Sequence, residues 1–310
     1  MTLVHKPVLL AEVLGFLNIM PDGVYIDATL GGGGHSIEIA RRLESGLLIG
    51  VDQDEFAIEQ ARAALSKFGE RVCIVKSNFS RVDYILNGVD SPINGVLMDL
   101  GVSSFQLDDA ARGFSYMQDG PLDMRMNRSA RLSAFEVVNR YDEGNLKYIF
   151  LNYGEERWGA RIAEFIVKAR AKKPIRTSFE LVSVIKAAIP KGARRDGPHP
   201  AKRVFQAIRI EVNDELGVLE RSIENFVRIL TPGGRICVIT FHSLEDRIVK
   251  STFARLKNPC ICPREMPLCA CRQLPQVEII TKKPIMPSEA EIRENPRARS
   301  AKLRVAQKVG

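Results

Sequence analysis

Short runs of β-branched and other apolar residues, bounded by turn formers, recur at residues 24–29, 47–54, 71–79 and 95–101, and once more at 234–243. Runs of this length predict strands buried on both faces of a parallel sheet. Helical spacing fills the gaps between the first four: Ile37, Ala40 and Leu43, then Ala57, Ala61, Ala64, Leu65 and Phe68, then Val82, Ile85 and Leu86. Alternation of the two periods predicts an α/β fold with a doubly wound sheet, whose ligands lie beyond the carboxyl ends of the strands. Ahead of the first strand, Leu10, Val13, Leu14 and Leu17 recur at helical spacing, and Lys6, Pro7 and Glu12 interrupt the apolar run. That pattern predicts an amphipathic core helix rather than a signal peptide.

The rhythm breaks after the fourth strand. Roughly 130 residues separate it from the fifth, where a single crossover of a dozen or more would suffice, so a second unit is inserted there. Its own patterns are helical. Ile162, Phe165 and Ile166 form one stripe and Val182, Ile185 and Ile189 another, and Thr177 with Glu180 has the spacing of a capping box at the start of the second. Beyond the insertion, Leu216, Leu219, Ile223, Phe226, Val227 and Leu230 mark a long amphipathic helix that ends at Thr231-Pro232-Gly233-Gly234. The expected organisation is a discontinuous α/β domain, 1–107 with 207–310, carrying a helical domain at 108–206.

Charge adds to this picture by where it lies. The net charge is +8 over 310 residues, but residues 161–209 hold thirteen Lys/Arg against Glu164, Glu180 and Asp196, and residues 281–310 hold eight against three acids. The rest of the chain is therefore net acidic. Clustered cations suit a polyanionic partner, because they release counterions from a phosphate backbone; a solvated soluble face is the other reading. Six cysteines, unevenly spread, make no disulfide scaffold, and no apolar run approaches the length of a membrane span. The chain is expected to be a reducing-compartment, cytoplasmic protein with no membrane partner.

Candidate chemistry sits at the predicted strand ends. Ile26-Asp27-Ala28-Thr29 runs into Gly31-Gly32-Gly33-Gly34 and then a helix near His35. Glycine lets a backbone approach a ligand closely, so the turn predicts a nucleotide-type cofactor. The dinucleotide fingerprint G-x-G-x-x-G/A fails, since its sixth position falls on Ser36 or Ile37. Asp52 ends the second strand at about the distance from the glycines that brings a carboxylate to ribose hydroxyls. Asp27 offers a negative charge to an ammonium or sulfonium, and Phe79, after the third strand, offers a face for adenine. Asp99 ends the fourth strand where amino-group methyltransferases carry Asp/Asn-Pro-Pro-aromatic, although the residues here are Asp99-Leu100-Gly101-Val102-Ser103-Ser104. The failed fingerprint, Asp52 and Asp99 together favour S-adenosylmethionine over a nicotinamide.

Six blocks in order carry a family resemblance: His5-Lys6-Pro7-Val8-Leu9-Leu10, Asp27 to Ser36, Asp99 to Ser104, Gly120-Pro121-Leu122-Asp123-Met124-Arg125-Met126, Phe241-His242-Ser243-Leu244-Glu245-Asp246-Arg247, and Asn295 to Arg304. The chain resembles, from end to end, the bacterial 16S ribosomal-RNA cytosine-N4 methyltransferases, the methyltransferase H family of the small ribosomal subunit. The resemblance implies a Rossmann-like class I methyltransferase sheet with a helical insertion. It further implies methyl transfer from S-adenosylmethionine to the N4 of a cytidine in the decoding region of 16S rRNA, with the small subunit as partner. Residue by residue it implies a cofactor site of Gly33, Gly34, His35, Asp52, Phe79, Asp99 and Gln106, the last marked by nothing in its own surroundings. Asn127 departs from the acid expected in many relatives.

For catalysis, Asp99 or the carbonyls of the turn after it would accept the amine protons, and His242 at the end of the last strand is a second candidate for proton removal, with a loop-organising role as its alternative. Arg194, Arg195, Lys202 and Arg203 in the insertion, and Arg297, Arg299, Lys302 and Arg304 in the tail, are the expected phosphate contacts. No catalytic metal is expected. Cys260, Cys262, Cys269 and Cys271 raise a structural zinc site, but Cys-x-Cys is tighter than the usual spacing, so a loop of thiols is the favoured reading. Cys73 and Cys237 read as buried small hydrophobes. Two rivals remain on the same fold: an NAD-dependent oxidoreductase and a non-catalytic RNA-binding protein on a vestigial methyltransferase fold.

Overall fold

The computed structural model of the chain describes residues 7–89, 91–194, 199–263 and 270–310; His5, Lys6, Arg195, Asp196 and Cys269 lie outside the described residues. The elements begin α1 (Leu10–Leu17), β1 (Val24–Asp27), α2 (Gly34–Ala40), β2 (Leu47–Asp52), α3 (Glu55–Leu65), β3 (Val72–Lys76), α4 (Val82–Ile85) and β4 (Ile93–Asp99). Six helices follow: α5 (Ser104–Asp108), α6 (Ala134–Arg140), α7 (Glu143–Asn152), α8 (Gly159–Arg170), α9 (Ser178–Ala188) and α10 (Lys202–Asn213). The chain closes with α11 (Glu215–Ile229), β5 (Leu230–Thr240), α12 (Ser243–Lys257), β6 (Val277–Ile279), α13 (Glu289–Glu294) and β7 (Lys302–Lys308).

Two compact units divide these elements: residues 1–101 with 216–310, and residues 102–215. The sequence-based boundaries at 107/108 and 206/207 fall inside α5 and α10.

The first unit is a seven-stranded sheet in the order β3-β2-β1-β4-β5-β7-β6. The strands from β3 to β5 pair in parallel, and β7 runs antiparallel between β5 and β6. Strand alternation sends side chains to two apolar layers. Ile26, Ile49, Val96 and Val238 meet α4, α11 and α12 on one face, while Tyr25, Leu48, Leu97 and Ile239 meet α1, α2 and α3 on the other. This is the α/β, doubly wound architecture the sequence predicts. The Thr231-to-Gly234 segment does not precede β5 but lies within it: Leu230 pairs with Ile93 and Arg235 with Gly95, so the residues between them bulge.

Two strands were not anticipated. β6 is three residues long, and β7 occupies the part of the basic tail read as an RNA contact. Cys237 is fully buried as expected, but Cys73 is exposed, because β3 is an edge strand with a half-covered outer face.

The second unit is helical around its own core, in which Leu146, Phe150, Ile162, Ile166, Leu181 and Ile185 are buried. The Thr177–Glu180 capping box opens α9 as predicted: Thr177 Oγ1 accepts the Glu180 N–H, and Glu180 reaches back to the Thr177 N–H. Several of its cations serve the fold itself, Arg209 and Arg170 among them. Arg209 makes a two-pronged pair with Glu215, and Arg170 donates to the carbonyls of Val138 and Tyr141. No helix among the described residues is long and apolar enough to cross a membrane.

Candidate active site

The strand order of the first unit reverses between β1 and β4, which opens a crevice at their carboxyl ends. Asp27 and Asp99 end those two strands, and Asp52 ends β2 beside them. The loop after β1 is stitched to both neighbours. Ala28 N–H donates to Leu97 O on the β4 side, and Leu30 N–H donates to Val51 O on the β2 side. Thr29 Oγ1 accepts the Asp99 N–H at 2.6 Å.

The glycine turn then bends into α2 with Gly31 at φ 51° and Gly33 at φ 81°, backbone regions that side chains disfavour. Gly31 N–H donates to Asp52 Oδ2 at 2.8 Å, and Asp54 N–H donates to Asp52 Oδ1 at 2.9 Å. One carboxylate therefore sets the height of the turn and keeps lone pairs on both oxygens for further donors. Burial raises the Asp52 carboxyl above the usual range, against the pull of these backbone donors.

Asp27 has a different role from the one its position suggested. It is 2% exposed, its Oδ2 accepts from the Ser36 hydroxyl at 2.7 Å, and its Oδ1 accepts from Thr29 N–H. Rather than facing a ligand cation, it braces the loop from inside. Burial, with Asp52 adding, pushes its carboxyl up to about 6 in spite of those hydrogen bonds. His35 is likewise turned inward: its Nε2 lies 3.0 Å from Val8 O, an acceptor only, so Nε2 carries the proton. The other ring nitrogen, Nδ1, faces Asp99 Oδ2 at 3.6 Å.

Asp99 combines partial exposure with an incompletely paired carboxyl. Its side chain is 25% exposed, and its Oδ1 is buried with no hydrogen-bond partner among the described residues. Burial first, then the charges of Asp27 and Glu245, push its carboxyl up to about 8. A carboxyl with an unsatisfied oxygen at a switch point is set to bind a donor or a cation.

Beyond Asp52, the Asn78 amide donates to Gln53 Oε1 at 3.2 Å, and Phe79 is half-buried against the α4 side of the core. A polar edge next to an aromatic face suits a purine. Gln106 belongs to the second unit. There it is 4% exposed and completes a capping box with Ser103, whose N–H donates to Gln106 Oε1 at 3.0 Å.

His242 acts as the N-cap of α12. Its Nδ1 accepts the Glu245 N–H at 3.4 Å, and Glu245 Oε2 accepts the N–H groups of Phe241 and His242. Nε2 lies 3.1 Å from Glu245 Oε1. The cap engages the Nδ1 lone pair, which is the loop-organising role set beside proton removal for this residue. Glu245, 2% exposed, was missed as a site residue, because a histidine stands where the capping-box signature that marks Thr177 has Ser or Thr.

The expected phosphate contacts divide sharply. Lys202 and Arg203 in the second unit and Arg297 and Arg299 in the first are exposed. Arg304 is not: it is 7% exposed and clamps Asp246 through Nε at 2.6 Å and Nη2 at 3.2 Å, with Lys302 Nζ joining at 3.3 Å. Arg304 therefore belongs to the core and is withdrawn from any RNA contact.

Comparison with known proteins gives one consistent answer. The family model described as MraW methylase family matches residues 2–309. A relative from Clostridioides difficile (strain 630), named ribosomal RNA small subunit methyltransferase H, is 58% identical over 307 residues, covering 98% of this chain and 99% of its own. Relatives of the same name from Acetivibrio thermocellus and Symbiobacterium thermophilum are 56% and 54% identical, each over 98% of this chain and over 99% and 96% of their own lengths. With matches that run nearly from end to end, the chain belongs to the MraW methylase family.

Proposed function

We propose that the chain transfers a methyl group from S-adenosylmethionine to the N4 amine of a cytidine in the decoding region of 16S rRNA, within the small ribosomal subunit. The observation that carries this reading is the unsatisfied, elevated Asp99 carboxyl at the switch point, one strand from the Asp52-anchored glycine turn. Family membership and the relatives' action on small-subunit RNA support the methyl acceptor class, and the resemblance of the sequence blocks supports cytosine N4.

The residues fit the cofactor by their donor set. Asp52 would accept from ribose hydroxyls, Phe79 would cover the adenine, and the turn at Gly33, Gly34 and His35 would lie against the amino-acid portion. The cofactor supplies an electrophilic methyl on sulfur. The N4 lone pair is delocalised into the cytosine ring, so the amine must be polarised and held in line. Asp99 accepts one N4 proton, which localises the lone pair, and removes that proton as the nitrogen takes the methyl. Its high resting pKa makes it responsive: a cation brought beside it favours the ionised form that can do this. The base must leave its stack to reach such a crevice, which is easiest in single-stranded RNA. In the second unit, Tyr116 stacks on His199 at 4.8 Å near the exposed Phe179 and Lys186, a surface suited to bases and backbone.

Methyl incorporation from labelled S-adenosylmethionine into small subunits, located by mass spectrometry of the rRNA, tests the whole reading. Incorporation at N4 of one cytidine is expected; binding of NAD in place of S-adenosylmethionine would replace it with the oxidoreductase. Two variants probe its parts. Asp52→Ala should weaken cofactor binding by about tenfold to a hundredfold, the worth of hydrogen bonds to a charged acceptor, when measured by calorimetry, with little change in kcat at saturation. Lys202→Glu with Arg203→Glu should weaken RNA binding and lower the slope of log affinity against log salt by about 0.7 per lost phosphate contact. An unaltered slope would remove this part of the insertion from the RNA interface.

A further inference from the structure

Between α12 and β6, no helix or strand is found among the described residues of 258–276. Loops of that length inside a compact unit are uncommon, and something usually orders them. Here the two ends of the loop bring thiols together. The Sγ atoms of Cys260, Cys262 and Cys271 all lie within 4.8 Å of one another.

The spacing discriminates between the ways thiols meet. Cys260 Sγ and Cys271 Sγ stand 3.8 Å apart. A disulfide would hold them at about 2.05 Å. Two thiolates bound at about 2.3 Å to one tetrahedral zinc ion stand about 3.8 Å apart. A polynuclear iron–sulfur cluster would place each thiolate on its own iron and spread them further. A second observation concerns charge. The Ala270 N–H donates to Cys262 Sγ at 3.3 Å, and a backbone donor on sulfur stabilises the thiolate form that a metal requires. The Cys-x-Cys step is short for a zinc knuckle, but the backbone turns so that both thiols of the step reach Cys271.

We propose that Cys260, Cys262 and Cys271 bind a structural zinc ion that pins the ends of this loop together, with the fourth donor of the tetrahedron coming from outside the three. The site would be structural, since it serves to close the connection from α12 into β6. It is independent of the methyl-transfer reading.

Elemental analysis tests this on the full-length chain, expressed with zinc in the medium and purified reduced, without chelator and with any affinity tag removed. About one zinc per chain is expected, with iron absent. The Cys260→Ser, Cys271→Ser double variant should lose zinc by about tenfold or more. Should that variant fail to fold, the wild type still decides: titration with a mercurial should release zinc, followed with a chromogenic zinc dye, in step with modification of these thiols, identified by peptide mass spectrometry. Wild-type protein with less than about a tenth of a zinc per chain, or zinc that stays bound after the three thiols are modified, would overturn the proposal.

Discussion

Replacing Asp99 with alanine is expected to reduce methyl transfer by about a hundredfold to ten-thousandfold in kcat, the range for loss of a positioned proton acceptor, while cofactor affinity falls far less. The asymmetry follows from geometry. The turn is held by Asp52, Asp27 and Thr29, and Asp99 contributes its backbone N–H to Thr29 whatever its side chain. Single-turnover kinetics with saturating cofactor separates the two effects. Near-normal turnover would move proton acceptance to the backbone carbonyls of the following turn.

The same carboxyl sets a pH signature. With Asp99 at about 8 in the free protein, kcat/KM should rise with pH up to that region and then level, and Asp99→Ala should flatten the limb that remains. Stability moves the other way. The unfolded chain releases the Asp99 proton near the ordinary carboxylate value, while the folded chain keeps it to about 8. Across that interval the native state binds more protons, so stability falls as pH rises from about 4 and levels above about 8. Asp27 adds a smaller fall of the same sign that ends at about 6. Asp99→Asn should therefore melt higher than the parent at pH 8, by a few degrees at about 2–4 °C per kcal/mol, with the difference shrinking towards pH 4. A variant that is more stable and inactive separates a group kept for chemistry from one kept for the fold.

What could be read from the chain follows a physical divide. Strands β1, β2, β4 and the later part of β5 are buried on both faces, so their burial is written as continuous apolar runs, and the strand ends that carry Asp27, Asp52 and Asp99 could be located. β7 could not. It pairs at one side with the three-residue β6, and two of its inward positions are cations whose neutralising partner, Asp246, lies more than fifty residues away on α12. A window of local sequence shows only a basic tail. The chemistry of Asp99 was hidden for a related reason: its carboxyl is raised first by burial and then by the charges of Asp27 and Glu245, which no spacing rule brings together. Gln106 became a candidate through resemblance alone, and in its own unit it shows a capping role. His242 shows the converse: the loop-organising alternative named for it is the role its geometry displays, in a cap with Glu245 that lacks the Ser or Thr marking such boxes in a sequence.

That misread cation carries the second large effect. Asp246→Ala is expected to destabilise the α/β unit by about 3–5 kcal/mol, because it leaves Arg304 buried without its partner. Asp246 and Arg304 side chains are 14% and 9% exposed, and the pair is two-pronged. The first thermal transition should fall by on the order of 10 °C. Burial alone would raise the Asp246 carboxyl, but Arg304 and Lys302 outweigh it and hold it below the usual range. Its contribution is therefore complete above about pH 4 and is lost as acid protonates it, the opposite sense to Asp99. Pairing Asp246→Leu with Arg304→Met should recover most of the loss, since an apolar pair of similar volume avoids the desolvation cost. Arg304→Met alone should also destabilise, by stranding the carboxylate. If instead Asp246→Ala left stability intact and weakened RNA binding, Arg304 would return to the phosphate-contacting set. The expected result assigns it to the joint between β7 and α12, the helix whose first turn holds Glu245 beside Asp99.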